Sequence, residues 1–481
     1  MDSAKGVGVA TDLYELTMMQ GYYACERNIP VVFELFFRSQ PFGGGYSILA
    51  GVQDVVSHLQ SLSFSEREIA YLESLGPFRK DFLDELSRFR FTGDVYAMPE
   101  GEVVFPNEPL LRVHAPLAEA QVVESMILNI LNFQTLIATK AARITHAAHG
   151  KSVLEMGMRR AQGPDGALSA ARAAYIGGVE ATSNTLAGLK YGLPVRGTMA
   201  HSWVMTFDTE LEAFERYAQL YPDRCIFLID TYDTLGSGIE NAITVGTWLK
   251  EQGKSFGVRL DSGDLEYLSH AVRKRLDDAG FPDAKIAVSN ELDEWIVNQL
   301  VTDGAPIDLW GIGTHLVTGG SQSSFPGVYK LTARYDEAIN GMRPVMKVSD
   351  NPEKSSNPGV KQVFRFFSES GEPLGDLVSE ADEPAPDGEA VTFHHPSSLT
   401  QKYRMEDYDY TKALLSQVMK DGTACTEPET LPELRSRAIS RIKSLPHTYR
   451  RMINPHVYKV SLSRRLKEMK LSILRDHGIY D

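Results

Sequence analysis

The chain has 481 residues, 43% of them hydrophobic and 23% charged, which excludes a disordered or fibrous chain and fits an ordinary globular fold with a large core. Acidic residues outnumber basic ones 63 to 49, a formal net charge of -14, which argues against a broad nucleic-acid-binding face but leaves room for a local phosphate pocket. The three cysteines, Cys25, Cys225 and Cys425, lie too far apart for a CxxC metal site or a disulfide framework and point to a reducing compartment.

The opening MDSAKGVGVATDLYEL lacks the apolar core of a signal peptide. No apolar run reaches the roughly 18 residues of a membrane span, so the expected setting is the cytoplasm, with no membrane partner. From Thr11 to Cys25 apolar groups recur at helical spacing, with Thr11 or Asp12 as N-cap. Val31 to Arg38 reads as a buried strand, and PFGGGYSILAG as a glycine-rich turn into a helix. Residues 93–115 read as short β segments of a small sheet domain. The stretch AEAQVVESMILNILNFQTLIATKAARI predicts a long helix. Beyond it, six candidate strands alternate with helical segments: SVLEMG, LPVRGTMA, RCIFLID, SFGVRLD, KIAVSN and IDLWGIG. That alternation predicts a parallel α/β sheet or barrel, with chemistry at the C-terminal strand ends. The acidic, Pro/Gly-rich segment 368–390 reads as a surface loop or hairpin, and the tail from Leu431 as helical and basic.

Five strand ends carry the polar residues that could do chemistry. EMGMRRAQGPDG presents Arg159 and Arg160, suited to a carboxylate because a guanidinium donates two parallel hydrogen bonds; a surface ion pair explains them as well. GTMAHSW presents His201, either a nucleophile or base near neutral pH or a structural hydrogen-bonding residue. IDTYDT and VRLDSGDL present Asp230, Asp233, Arg259, Asp261 and Asp264. Carboxylates so clustered can hold ribose hydroxyls and Mg2+, and they can equally cap the following helices. WGIGTHLVTGG offers backbone N–H groups to a phosphate, or a plain tight turn. Together the five suit an anionic aromatic ligand and a phosphorylated sugar.

The segments TDLYELTMMQGYY, FELFFRSQPFGGGYSILAG, MRRAQGPDGALSAARAAYIGGVEATSNTLAG, GTMAHSW, DTYDTLGSG, VRLDSGDL and WGIGTHLVT, in this order, resemble the nicotinate phosphoribosyltransferase family, and LPELRSRAISRIKSLP carries the likeness toward the C-terminus. The resemblance implies an α/β fold: an irregular α/β barrel plus an open-faced α/β sandwich built from both chain ends. The corresponding domains are 1–120 for the N-terminal part of the sandwich, 121–345 for the catalytic barrel, and 346–481 returning to the sandwich with a helical tail. It also implies a homodimer with shared active sites. The implied reaction joins nicotinate to phosphoribosyl pyrophosphate, coupled to ATP hydrolysis, with Mg2+, giving nicotinate mononucleotide, pyrophosphate, ADP and phosphate.

Residue roles follow from the same resemblance. His201 matches the histidine phosphorylated by ATP, Arg159 the pyridine-ring binder, and Tyr14 a stacking residue supplied across the dimer. Asp230, Arg259 and Asp261 match the ribose, pyrophosphate and Mg2+ ligands; Gly311, Gly313 and Thr314 the 5′-phosphate turn; Arg38, Lys347 and Lys361 further phosphate contacts. Relatives that select nicotinamide carry Asp where this chain has Asn184, beside Ser183, so nicotinate is the expected substrate over the amide. Met156 stands where the family usually has Phe, so ring stacking from that side is expected to be weaker. A non-catalytic phosphate-ligand sensor on the same barrel is the rival from another class, and the intact His201, Asp230 and Asp261 argue against it.

Overall fold

The computed structural model describes residues 7–348, 356–398 and 400–478. The chain divides into two compact units, Met1–Leu136 with Ser324–Asp481, and Ile137–Ser323.

The second unit is built on short apolar runs that alternate with helices. Its parallel sheet runs Ala181–Thr182, Ser152–Glu155, Leu309–Ile312, Lys285–Val288, Phe256–Leu260, Cys225–Leu228 in spatial order. It curls into a half-barrel, left open between its first and last strands. Val153, Leu154, Phe227, Leu228, Val258, Leu260, Ile286, Val288, Trp310 and Ile312 are all buried, the near-continuous apolar pattern of strands covered on both faces. Five of the six expected strands form. LPVRGTMA does not: it makes only a single bridge, Val195 to Thr182, with Thr182 N–H donating to Pro194 O and Arg196 N–H to Thr182 O. Pro194 has no N–H for a ladder, and the strand at this edge is Ala181–Thr182 instead.

The first unit interleaves both ends of the chain. Its seven-stranded sheet runs Gly341–Pro344, Gly327–Asp336, Pro30–Phe37, Leu111–Pro116, Asp94–Ala97, Ser416–Lys420, Thr423–Ala424. Pro30–Phe37 is central, as its apolar run requires, and pairs antiparallel with Gly327–Asp336. That pairing draws 324–345 into this unit, so the boundary expected at 345 falls at 323, and the one expected at 120 falls at 136, inside the helix Glu124–Ala147. The second sheet runs Lys402–Met405, Val391–His394, Val460–Leu462, Pro373–Glu380, Lys361–Phe367, Tyr410–Ala413. Part of the acidic segment read as a surface loop or hairpin is thus the buried strand Pro373–Glu380, the second strand of a hairpin. Leu13–Ala24 is helical as expected, but Asp12 makes no side-chain cap; its carboxylate accepts from the Ser125 hydroxyl at 2.7 Å. Leu117–Ala147, interrupted at Val123, is apolar and long enough to cross a membrane by length and composition, with 56% of its most apolar window buried in the fold, as in a core helix.

Lys361–Phe367 and Pro373–Glu380 are locked by one buried cation. Arg365 donates to both carboxylate oxygens of Asp376 (2.9 and 2.7 Å), to Glu102 (2.9 Å) and to the carbonyl of Val103 (3.0 Å). Removing one partner from a buried ion pair leaves the others charged and desolvated. Arg365→Met is therefore expected to lose about 3–5 kcal/mol of stability in denaturant titration, whereas breaking the exposed Arg79–Asp81 pair with Arg79→Ala changes it by less than about 1 kcal/mol. Equal effects from the two variants would refute the buried network as a stabilising lock.

Candidate active site

In a parallel sheet every strand ends on the same side, so the residues that follow the strands converge there. Asp230 follows Cys225–Leu228 and is buried. Its Oδ2 accepts the backbone N–H of Asp261 at 3.0 Å and the Ser262 hydroxyl at 2.6 Å. Its Oδ1 has no hydrogen-bond partner among the described residues. Asp261, after Phe256–Leu260, accepts a short hydrogen bond from the hydroxyl of Ser289, which follows Lys285–Val288. The His201 ring sits between the two carboxylates, with Nε2 3.9 Å from Asp230 Oδ1 and 3.7 Å from Asp261 Oδ2. Its other nitrogen, Nδ1, lies 3.1 Å from the Thr231 hydroxyl. The Arg259 guanidinium is 3.6 Å from Asp261, bonds the carbonyl of Met199 at 3.1 Å and donates a short bond to Thr198. Burial lowers the pKa of Arg259, and the nearby charge of Arg159 adds to that; Asp261 and Asp230 oppose it. A guanidinium stays protonated through such a shift, so the site keeps one fixed cation beside two carboxylates.

The geometry separates the two readings of the acidic clusters. Asp264 caps Leu265–Asp278 through Tyr267 N–H (3.1 Å), and Asp233 accepts from Gly236 N–H (3.0 Å). Asp230 and Asp261 cap no helix; they face His201 and Arg259.

A second cluster lies at the end of Ser152–Glu155. Glu155 is buried and accepts short hydrogen bonds from Gly157 N–H and the Thr182 hydroxyl, while its backbone carbonyl accepts from Ser183 N–H at 2.8 Å. Burial raises its carboxyl pKa, and those bonds oppose the rise. One carboxylate thus fixes both the Met158–Arg160 turn and the Ser183–Asn184 turn. Arg159 is exposed and forms no ion pair among the described residues, contrary to the surface-pair reading. Asn184 requires a correction. Its side chain was expected to face the ligand, but its Oδ1 accepts Leu186 and Ala187 N–H, both at 3.1 Å, capping Thr185–Tyr191.

Glycines let the next two turns interlock. A Cβ on Gly157 would lie 2.4 Å from Val317, and one on Gly311 2.8 Å from Met156 Sδ, so the Met156 thioether packs over the Gly311 backbone. Thr314, first residue of the single turn Thr314–Val317, sits 3.4 Å from Glu291.

Tyr14, Arg38, Lys347 and Lys361 belong to the first unit. Tyr14 is 46% exposed, and its phenol pKa is raised by partial burial and then by Glu124 and Glu15. Arg38 and Lys347 both bear on Lys330, whose pKa burial lowers, and together the three form a basic cluster. Lys361 is the second correction. It is buried, paired with Glu34 at 2.8 Å and bonded to the carbonyls of Asn357, Pro358 and Gly359, so its ammonium has no face left for a phosphate.

The family models agree with this arrangement. The N-terminal domain of nicotinate phosphoribosyltransferase matches residues 9–132, the family model 152–370, and the C-terminal domain 360–470. The nicotinate phosphoribosyltransferase of Bacillus subtilis is 41% identical over 455 residues, 94% of this chain and 92% of that protein. The chain belongs to the nicotinate phosphoribosyltransferase family. The human nicotinate phosphoribosyltransferase is 34% identical over 522 residues, and the crystal structure of human nicotinic acid phosphoribosyltransferase superposes with a TM-score of 0.86 at 32% identity, covering 96% of this chain and 99% of that one. A nicotinate-nucleotide pyrophosphorylase from Pyrococcus furiosus shares the fold, with a TM-score of 0.71 at 23% identity. As a member of the nicotinate phosphoribosyltransferase family, the chain is an enzyme of NAD biosynthesis acting on nicotinate and phosphoribosyl pyrophosphate.

The close turns give a specific expectation. Gly157→Ala should push the Met158–Arg160 turn from Val317 and lower kcat/KM for nicotinate, at a stability cost of about 1–3 kcal/mol. Adding Val317→Ala should recover part of both losses; a double variant no better than the single one would show that the contact does not matter.

Proposed function

We propose that phosphoribosyl transfer takes place over the Asp230–Asp261–Arg259–His201 cluster. The observation that carries this reading is the pair of carboxylates held by N–H and O–H donors around one imidazole and one buried guanidinium. The pyridine nitrogen of nicotinate attacks C1′ of the ribose as the bond from C1′ to the pyrophosphate oxygen breaks. The pair of electrons leaves with pyrophosphate, and the ribose passes through an oxocarbenium-like state. The protein supplies position and charge rather than a nucleophile toward the sugar. Asp230 and Asp261 hold the ribose side, Arg259 meets the pyrophosphate, Arg159 the nicotinate carboxylate, and the Gly311–Gly313–Thr314 turn the 5′-phosphate, displacing Glu291 from Thr314. Arg38 and Lys347 are further phosphate contacts.

The carboxylate pair fits Mg2+. Asp230 Oδ1 is buried without a hydrogen-bond partner among the described residues, and two carboxylates rather than three or more suit an ion that keeps water and substrate oxygens in its shell. Mg2+ would neutralise charge on the departing pyrophosphate. ATP is the co-substrate: the Thr231 hydroxyl engages Nδ1 of His201, and the tautomer with its hydrogen on Nδ1 leaves the Nε2 lone pair to take the terminal phosphoryl group, releasing ADP; water later frees phosphate. The added negative charge beside Asp230 and Asp261 drives the site between substrate-binding and product-releasing states. Asn184 caps Thr185–Tyr191 rather than facing the ligand, and as a neutral cap it spares the Ser183 turn the negative charge that an Asp would bring near the nicotinate carboxylate. The enzyme works in the cytoplasm as a homodimer. On Leu13–Ala24 the exposed Leu13, Tyr14 and Met18 form an apolar face suited to a second copy, with the partner's Tyr14 stacking on the pyridine ring.

His201→Ala should abolish nicotinate-dependent ADP formation while leaving slow, ATP-independent synthesis of the mononucleotide. The test is product and ADP measured together, with nicotinate or nicotinamide, with and without ATP. ADP formed at the parent rate in step with product would remove His201 from the coupling.

The shared site predicts complementation. In a dimer mixed from Tyr14→Ala and Asp230→Ala chains, one site carries both defects and the other carries neither. Activity should recover toward half a parent dimer's worth. If mixed dimers form and activity stays at the level of the separate variants, Tyr14 serves its own chain or none.

A further inference from the structure

We infer that the opposite mouth of the half-barrel is a second binding site, for a phosphorylated small molecule of nucleotide size. The strands that end at Asp230, Asp261 and Ser289 begin at Cys225, Phe256 and Lys285. Those first residues, with Ser152, Leu309 and the 195–198 segment that failed to form a strand, line a cavity of about 1090 Å³. This is far more room than a single-ring acid fills, and it matches the upper range of small-molecule pockets.

The charge at this mouth runs against that of the chain. Four cations line it, Lys151, Arg196, Arg224 and Lys285, against two carboxylates, Asp223 and Asp308. Asp308 is shared between Lys151 (3.9 Å) and Lys285 (3.3 Å), and Asp223 is taken by Lys254 (2.6 Å). Arg196 and Arg224 have no carboxylate within ion-pair distance among the described residues, so two guanidinium forks stand open in a molecule of net charge -14. Such forks match phosphate oxygens two at a time. Leu154, Val195, Ile226, Phe256, Ala287 and Leu309 form an apolar part of the wall, a surface for a planar base. Beside it stand the hydroxyl residues Ser152, Ser183, Thr185, Thr198 and Ser255, of which Ser183 comes from the turn fixed by Glu155. Phosphate binder and apolar wall in one cavity define the ligand class.

The site is wired to the catalytic cluster. Thr198 lines the cavity, and its hydroxyl accepts from Arg259, whose guanidinium also bonds Met199 O. A ligand held by Arg196 orders the residues that fix Arg259. Binding stands on the cavity alone; its effect on turnover rests on the role proposed for Arg259.

The probe is adenosine 5′-monophosphate, with inorganic phosphate and adenosine as half-probes. Binding is measured by equilibrium dialysis with the catalytic cluster saturated by nicotinate mononucleotide. The expected result is one bound equivalent, tighter than either half-probe, with slowed amide exchange at 195–198 and 224–226. Arg196→Gln with Arg224→Gln should weaken it at least tenfold while melting temperature and probe-free turnover stay at parent values. The inference is overturned if adenosine 5′-monophosphate does not bind, if nicotinate mononucleotide displaces it, or if the double variant binds it as the parent does. If binding is as expected but turnover never responds, the site stands and the assignment of Arg259 falls.

Discussion

The first unit depends on a single guanidinium in its interior. Arg365 is surrounded by groups drawn from distant parts of the chain: Glu102 and Val103 from the N-terminal third, Asp376 from the adjacent strand, and Tyr458, whose hydroxyl donates to Asp376 at 2.8 Å. Arg441 neutralises the other oxygen of Glu102 at 2.9 Å. Burial pushes the Glu108 carboxyl well up, and the neighbouring Asp376 adds to the rise, which favours its neutral form beside the cations Arg365 and Arg441 and the carboxylates Asp376 and Glu102. An ensemble of this kind favours one register of the Lys361–Phe367 and Pro373–Glu380 strands, because a slip by one residue would turn Arg365 and Asp376 to opposite faces.

The second unit follows the same rule on a smaller scale. Asp230 is fixed by Ser262 and Asp261 by Ser289 in one cluster, and Glu155 by Thr182 in the other. Such bonds hold a carboxylate in one orientation without neutralising it, so the charge stays available to a ligand. Small residues do the placing, and large ones the binding.

Much of this was legible in the sequence, and the failures are physical ones. Strands SVLE, CIFL, FGVRL, KIAV and LWGI announced themselves because both faces are buried, and Asp230 and Asp261 follow two of them, whereas His201 joins that cluster from a segment that forms no strand. LPVRGTMA was misread because apolar content outweighed Pro194. The hairpin at Pro373–Glu380 was anticipated but its burial was not, because composition counts Asp376 as solvent-facing and only a partner at position 365 makes its burial tolerable. Asn184 and Lys361 failed for one reason: residue type gives the hydrogen-bonding capacity of a side chain but not which neighbour uses it. Glu155, Thr198, Thr231 and Ser289 went unnoticed as positioning groups, although a glutamate ending the apolar run SVLE was a visible anomaly.

The central place of Pro30–Phe37 has a consequence for synthesis. One of its two neighbours, Gly327–Asp336, is made 300 residues later, counted from Val32 to Thr332. At about 5–20 residues per second on a ribosome, the newborn strand waits roughly 15–60 s with an unpaired edge. Its sequence, PVVFELFF, is nearly all apolar, the kind of edge that joins other chains when left open. Meanwhile the residues of the inserted half-barrel, 137–323, have all been made and can fold on their own contacts. The edge of this strand thus stays open for as long as the inserted half-barrel takes to be translated, an interval set by chain connectivity and not by the stability of the finished fold.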